Sequence, residues 1–302
     1  MRTLHDADEA REFVYQLRRE QNTVGLVPTM GALHEGHLSL VRSSVQRCDA
    51  TIATIFVNPT QFAPDEDLEK YPRTLQRDCE LLDSVGANAV FLPSVDAMYP
   101  DGFSTFVQPP EVSRTLEGVC RPGHFRGVTT VVMKLFQMLP TTHAFFGRKD
   151  YQQLKVIQAM TRDLNVGIEI VAGETVRESD GLALSSRNRY LSDSDRKRAL
   201  SLSAALNRVS QLASKGETDV EMLQLEMRKC LLGDSANADD DSVNATLAGG
   251  VDKIDYAVIV DAESLVQIDK LSTPAVALIA AHVGQTRLID NASITIGSGS
   301  TL

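Results

Sequence analysis

The sequence lacks any long apolar run. The longest uninterrupted one, residues 275–281, is seven residues long and stops at His282. A helix that spans a bilayer needs about 20, so no membrane-spanning helix is expected. The first residues include Arg2, His5, Asp6, Asp8 and Glu9 and no apolar stretch, which is not the pattern of a secretory leader. Cysteine is scarce: Cys48, Cys79, Cys120 and Cys230 lie 31, 41 and 110 residues apart. Zinc ribbons and redox pairs need two sulfurs within a few residues, and small secreted scaffolds need a denser set. The expectation is four reduced, mostly buried thiols in a cytoplasmic protein. Positive charge is also short, with 30 Lys and Arg against 40 Asp and Glu for a net charge of −10. That argues against nucleic-acid binding, which displaces counterions with a basic face. An anionic ligand must be held by local positive groups working against the overall field.

What is present is a globular composition, 302 residues of which 43% are hydrophobic and 23% charged, enough for one large domain or two ordinary ones. Strand-like runs at 24–28, 50–57, 89–92, 144–146 and 168–171 alternate with helical ones at 34–48, 67–85, 127–139 and 151–164. The β-branched run at 50–57 suits a strand covered on both faces. Strands spaced by helices imply βαβ units and a doubly wound parallel sheet, an α/β fold. After about residue 175 the texture changes. Ser192 and Asp195 open a helix with apolar positions at Ala199, Leu202, Leu206, Val209 and Ala213, ended by Gly216; a second runs from Thr218 and Glu221 to Gly233. Residues 233–250, rich in Asp, Asn, Ser, Ala and Gly, read as a surface loop with little apolar surface to order it. Short strands at 254–260, 275–280 and 294–296 complete a smaller α+β domain. The expected division is 1–175 and 176–302.

The densest polar signal is Pro28-Thr-Met-Gly-Ala-Leu-His34-Glu-Gly-His37, between the first strand and the first long helix. Ligands of open parallel sheets sit at the C-terminal edge of the strands. Gly31 permits a close turn there, and the helix start offers N–H groups and a positive dipole end to an anion. His34 and His37, three apart, project from one side of the first turn and suit the phosphates of a nucleotide. A bare pair also fits two exposed histidines; a metal pair lacks the HExxH spacing and a third ligand. The next strand ends in Phe56-Val-Asn58-Pro59-Thr60-Gln61-Phe62, where Asn58 and Gln61 are neutral groups that both donate and accept. They suit hydroxyls and a carboxylate, or simply an Asn-Pro turn with an exposed Gln. Arg121-Pro-Gly-His124-Phe-Arg126-Gly127 is a local anion site or a solvated loop. In Phe146-Gly147-Arg148-Lys149-Asp150-Tyr-Gln152-Gln153, Lys149 suits phosphate, Asp150 a helix cap or a ribose hydroxyl, and Gln153 lies one turn further on. Glu178-Ser-Asp180-Gly181-Leu-Ala-Leu184-Ser185-Ser186-Arg187-Asn188 is a hydroxyl-rich loop placed to close over a triphosphate.

Six segments in order, 27–37, 56–62, 71–74, 121–127, 146–150 and 180–188, carry a resemblance to the pantothenate synthetase (pantoate–β-alanine ligase) family of the HxGH nucleotidylyltransferase superfamily. The HxGH element is shared with many nucleotidylyltransferases; the six together are specific. The resemblance implies a Rossmann-like first domain, a smaller C-terminal lid domain and a homodimer. It implies Mg-ATP-dependent condensation of (R)-pantoate with β-alanine through a pantoyl-adenylate, releasing pyrophosphate and then AMP, with no tightly bound organic cofactor. It also implies an ATP site of Pro28, Thr29, Met30, Gly31, His34, Gly36, His37, Gly147, Arg148, Lys149, Asp150, Val176, Leu184, Ser185, Ser186 and Arg187. Gln61 and Gln153 would hold pantoate, with Met30, Asn58, Arg121 and His124 nearby, and Asp78 is a candidate for the magnesium shell. His34, His37, Lys149 and Arg187 are expected to carry catalysis by neutralising phosphate charge. Glu174 stands where the family commonly has proline, and His282 where it has arginine. Two other readings stay open: a nucleotidylyltransferase that keeps the nucleotide in its product, and a non-enzymatic nucleotide-binding module on the same fold.

Overall fold

Along the strands of the N-terminal half, successive residues enter different cores. In the computed structural model, which describes residues 1–62, 68–69, 71–233, 249–272 and 274–296, the chain divides into two units, Met1–Val176 and Arg177–Leu302. The first holds six parallel strands: β1 (Arg2–Leu4), β2 (Val24–Thr29), β3 (Ala50–Ile55), β4 (Ala89–Phe91), β5 (His143–Gly147) and β6 (Glu169–Gly173), in the order β1-β4-β3-β2-β5-β6. Its helices are α1 (Ala7–Arg19), α2 (Glu35–Arg47), α3 (Leu75–Ser84), α4 (Val95–Met98), α5 (Glu117–Cys120), α6 (His124–Met138) and α7 (Tyr151–Asp163). Leu26, Ile52, Phe91 and Phe146 join a core with Val14 of α1, Val131 and Leu135 of α6 and Ile157 of α7. Their neighbours Val27, Ala53, Val90 and Phe145 face the other way, onto Leu38 and Val41 of α2 and Leu82 of α3. Burial on both faces is why these strands read as continuous apolar runs.

The strand order reverses at β2, which has β3 on one side and β5 on the other. Such a switch point opens a crevice at the C-terminal ends of the strands. β2 and β3 stay in register from Val24 opposite Ala50 to Thr29 opposite Ile55, so the segments that follow them leave the sheet at the same level.

The second unit places α8 (Asp193–Ser214) and α9 (Val220–Leu232) against an antiparallel sheet of β7 (Lys253–Asp261), β8 (Ala275–Val283) and β9 (Thr286–Ile294). Leu202, Leu206 and Val209 of α8 meet Ala277, Ile279 and Ala281 of β8 in its core. Ser192 caps α8 by accepting from the Asp195 N–H at 3.1 Å. Arg177 binds Asp290 through two nitrogens, at 2.7 and 2.9 Å, with the Asp290 side chain 1% exposed.

Several elements differ from the sequence reading. β1 and α1 are additional; in α1, Ala10 and Val14 are buried and Ala7, Phe13 and Leu17 pack partly buried beside them, a stripe set among charged residues. The helix expected from residue 67 starts at Leu75, because Pro72 disfavours helical geometry before it. Residues 63–67 and most of the 233–250 loop, 234–248, lie outside the described residues. The strand expected at 294–296 is instead β9, ending at Ile294; Arg287, Asp290 and Asn291 interrupt its apolar pattern. Among the described residues no helix is long and apolar enough to cross a membrane.

Candidate active site

The turn after β2 is held from behind. Thr29 donates its hydroxyl proton to the Thr54 carbonyl at 2.6 Å and accepts from the Gly31 N–H at 3.2 Å. Gly31 (φ +81°) and Ala32 (φ +51°) are both left-handed, a strained state for alanine. That pair of residues aims the Ala32 and Leu33 N–H groups at the two oxygens of Asp78, each at 2.9 Å. The Thr74 hydroxyl donates to the same carboxylate at 3.1 and 3.2 Å, which is 1% exposed. Both oxygens of Asp78, the candidate for the magnesium shell, thus face the turn and hold its strained backbone.

The turn delivers His34 to the N-cap of α2 and His37 to its first turn. The His34 carbonyl accepts from the His37 and Leu38 N–H groups at 2.9 and 3.1 Å. The two rings lie nearly stacked, 4.0 Å apart with a 34° tilt. The His34 N–H donates to His37 Nδ1 at 3.4 Å, which leaves the ring proton of a neutral His37 on Nε2. Burial, reinforced by His34, lowers the His37 pKa to about 3; Asp150 opposes the shift and Lys149 adds to it. His37 is therefore a neutral donor at pH 7, not an imidazolium. That Lys149 and Asp150 act on its charge puts the β5–α7 junction beside the β2–α2 turn. Arg148, Lys149 and Asp150 form one 3-10 turn leading into α7. Lys149 Nζ lies 3.5 Å from Asp150. Arg148, a residue of the expected ATP site, pairs with Glu174 at 3.1 Å.

Gln61 closes the β3 side. Its amide nitrogen lies 2.9 Å from the Met30 sulfur and its amide oxygen accepts from Asn58 at 3.1 Å. Its main-chain carbonyl accepts from His124 Nδ1 at 2.9 Å and from Arg121 at 3.5 Å, and a second Arg121 nitrogen is 3.2 Å from His124 Nε2. Arg121 and His124, expected near pantoate, thus grip the backbone of Gln61. Gly127 permits this approach of α6, since a Cβ there would stand 2.4 Å from the Thr60 carbonyl oxygen. Gln152 is 4% exposed and engaged with Glu117, Val112 and Thr115, while Gln153, about 100° further round α7, is half-buried. Thr29, Met30, His34, His37, Asn58, Gln61 and Lys149 therefore gather at the C-terminal ends of β2, β3 and β5.

Val176 ends the first unit, and Leu184, Ser185, Ser186 and Arg187 belong to the second. There Ser185 accepts from the Arg187 N–H at 3.3 Å and opens the 3-10 turn Ser186–Tyr190. Asn188 ties the loop to Glu178 and Ala183 at 2.8 and 3.0 Å, and Arg196 binds both Glu178 and Asp180. Tyr99, whose hydroxyl donates to Asn58 Oδ1 at 2.7 Å, and the approach of Gly127 to the Thr60 carbonyl are not legible in the sequence, the first because it reaches a residue distant in the chain, the second because it runs through the main chain.

A family profile described as pantoate-β-alanine ligase matches residues 2–293. The pantothenate synthetase of Rhodopirellula baltica is 50% identical over 299 residues, covering 98% of this chain and all of that protein. A crystal structure of pantothenate synthetase from Thermus thermophilus is 40% identical with a TM-score of 0.84, covering 97% of this chain and 99% of that one. A pantoate-β-alanine ligase from Francisella tularensis, complexed with beta-gamma ATP and β-alanine, is 32% identical with a TM-score of 0.75 and 97% of each chain covered. The fold, the ordered motifs and these matches over almost the full length lead to one assignment: the chain belongs to the pantoate–β-alanine ligase family.

Proposed function

We propose that this chain, as a pantoate–β-alanine ligase, uses the edge formed by β2, β3 and β5 to condense (R)-pantoate with β-alanine at the expense of ATP, through a pantoyl-adenylate. The observation that carries this reading is the meeting of the His34–His37 pair, the Lys149–Asp150 turn and the Met30–Gln61 contact at one sheet edge. A carboxylate with a reference pKa near 4 is ionised at pH 7, so its attack on the α-phosphorus needs no general base. Catalysis then lies in alignment and charge neutralisation.

In the first half-reaction a pantoate carboxylate oxygen bonds to the α-phosphorus and the bond to pyrophosphate breaks. The Nε2–H of His37, the first N–H groups of α2 and the ammonium of Lys149 stabilise the charge that builds on the phosphate oxygens; His34 orients His37. Ser185, Ser186 and Arg187, in a hydroxyl-rich turn of the second unit, are of the residue types that suit phosphate oxygens. Gln61 and Gln153 hold pantoate in line. In the second half-reaction the β-alanine nitrogen attacks the acyl carbon, the bond to AMP breaks and the amine proton leaves. Water must be kept out, since it would hydrolyse the mixed anhydride.

Among the described residues no group of three His, Cys, Asp or Glu side chains is gathered as a metal site, and the Asp78 oxygens face the turn. Magnesium would enter as the counter-ion of ATP, held chiefly by its phosphates. The wide spacing of the four cysteines suits a reducing, cytoplasmic setting, although only Cys48 is buried, and a homodimer is what the family resemblance implies.

The test is pantoate-dependent exchange of pyrophosphate into ATP without β-alanine. His37→Ala and Lys149→Ala should each slow it by about two to three decades, the range for losing one well-aimed donor, with unchanged melting. Near-normal exchange in either variant removes that residue from the mechanism.

A further inference from the structure

Gln61 serves a substrate only if the correct end of its amide faces outward, and that choice is made elsewhere. Asn58 is 1% exposed. Its amide nitrogen faces the Gly127 carbonyl at 3.2 Å, a group that only accepts. Its amide oxygen faces the Thr60 N–H at 3.3 Å, a group that only donates. These two main-chain groups favour one orientation of Asn58 without fixing it alone. The other Nδ2 proton goes to Gln61 Oε1 at 3.1 Å, so Gln61 shows its oxygen to Asn58 and its two N–H groups to the Met30 side. Gly127 and Thr60 lie at the long end of hydrogen-bond distance, and a shorter contact completes the lock. The Tyr99 phenol donates to Asn58 Oδ1 at 2.7 Å. The Thr60 hydroxyl lies 3.0 Å from the same oxygen and 3.2 Å from the Tyr99 hydroxyl. The Tyr99 ring is held edge-on to Phe103 at 5.1 Å and tilted against Phe56 at 6.3 Å.

We propose that Tyr99 is a positioning residue for pantoate: its hydroxyl touches no substrate but locks Asn58, and through Asn58 keeps the donor end of Gln61 turned toward an oxygen of the substrate. The inference rests on the reading of Gln61 as a pantoate ligand. Without the phenol, Asn58 loses its shortest partner and its amide is freer to reverse. A reversed Asn58 sets oxygen against the Gln61 oxygen, Gln61 turns over in response, and an amide oxygen then meets the substrate carboxylate, acceptor against acceptor. The loss should fall on pantoate and leave ATP, held on the β2 and β5 side, untouched.

A double-mutant cycle with Gln61→Met tests this. Tyr99→Phe should raise KM for pantoate about five- to tenfold, the weight of one buried hydrogen bond, while KM for ATP stays within about twofold and the melting temperature barely moves. In the Gln61→Met background the same substitution should change KM for pantoate less than about twofold. An effect that persists in full in that background overturns the proposal while leaving the Gln61 reading intact. So does an unchanged pantoate KM in Tyr99→Phe, or a parallel rise for ATP. If Gln61→Met itself leaves KM for pantoate unchanged, it is the Gln61 reading that falls. Should Tyr99→Phe not fold, Thr60→Val, which removes the other hydroxyl on Asn58, enters the same cycle with the same outcomes.

Discussion

His37 shows how one side chain is tuned by its surroundings. An imidazole held neutral by burial and by His34, with its Nδ1 accepting from the His34 N–H, offers a single proton, on Nε2. The sign of its effect on stability follows. In the unfolded chain the group titrates near 6.5, in the folded chain near 3, so between these values the unfolded state binds more protons and stability falls as the pH drops. His37→Gln should flatten that fall by up to one proton's worth of slope between about pH 6.5 and pH 3, as read from denaturation curves at several pH values; identical slopes would contradict the neutral assignment. Asp78 makes a second prediction at this scale. Its removal strands the Ala32 and Leu33 N–H groups and releases a strained turn, so Asp78→Ala should lose about 2–4 kcal/mol of stability and raise KM for ATP. The magnesium dependence at saturating ATP should stay unchanged; a large shift would return Asp78 to the metal. The sequence could not show this role, because the amides that Asp78 receives lie 45 and 46 residues away. Asn58 and Tyr99 are likewise 41 residues apart.

Among the elements, legibility follows burial pattern. β2, β3 and α8 are readable because both-faced burial and three-four spacing leave uninterrupted or periodic apolar marks, and the motifs that match the family sit where those elements end. α1 reaches the core through Ala7, Ala10, Phe13, Val14 and Leu17, but charged and polar residues fill the rest of its turns and dilute that stripe. β9 is misplaced by its sequence because a buried carboxylate, Asp290, is a polar letter in an otherwise apolar position. The α6 contact with Pro59–Gln61 is invisible for a different reason, since glycine carries no pattern. It makes a prediction: in Gly127→Ala the new methyl would have to displace the Thr60 carbonyl from 2.4 Å. That overpacking should cost about 1–3 kcal/mol and weaken pantoate binding more than ATP binding. Equal weakening of both would mean that the contact steers no particular substrate.

The whole molecule is an acidic chain of net charge −10 that concentrates donors and cations at one sheet edge of its first unit. Its second unit has its own core, with the Arg177–Asp290 pair tying the start of that unit to β9. Because Arg177 remains 31% exposed, Asp290→Ala should cost about 3 kcal/mol, the lower end of the range for breaking buried pairs, measured by chemical denaturation; a loss under about 0.5 kcal/mol would show that the pair contributes no more than a surface one. The central claim concerns the order of bond making at the clustered edge, and product accounting reaches it most directly. Enzyme is mixed with ATP, magnesium and pantoate, with and without β-alanine, and pyrophosphate and AMP are scored separately. The account predicts pyrophosphate up to one equivalent per chain without β-alanine, and free AMP only once β-alanine is added. No pyrophosphate until β-alanine arrives, AMP released equally without it, or a nucleotide retained in the final product would each contradict it.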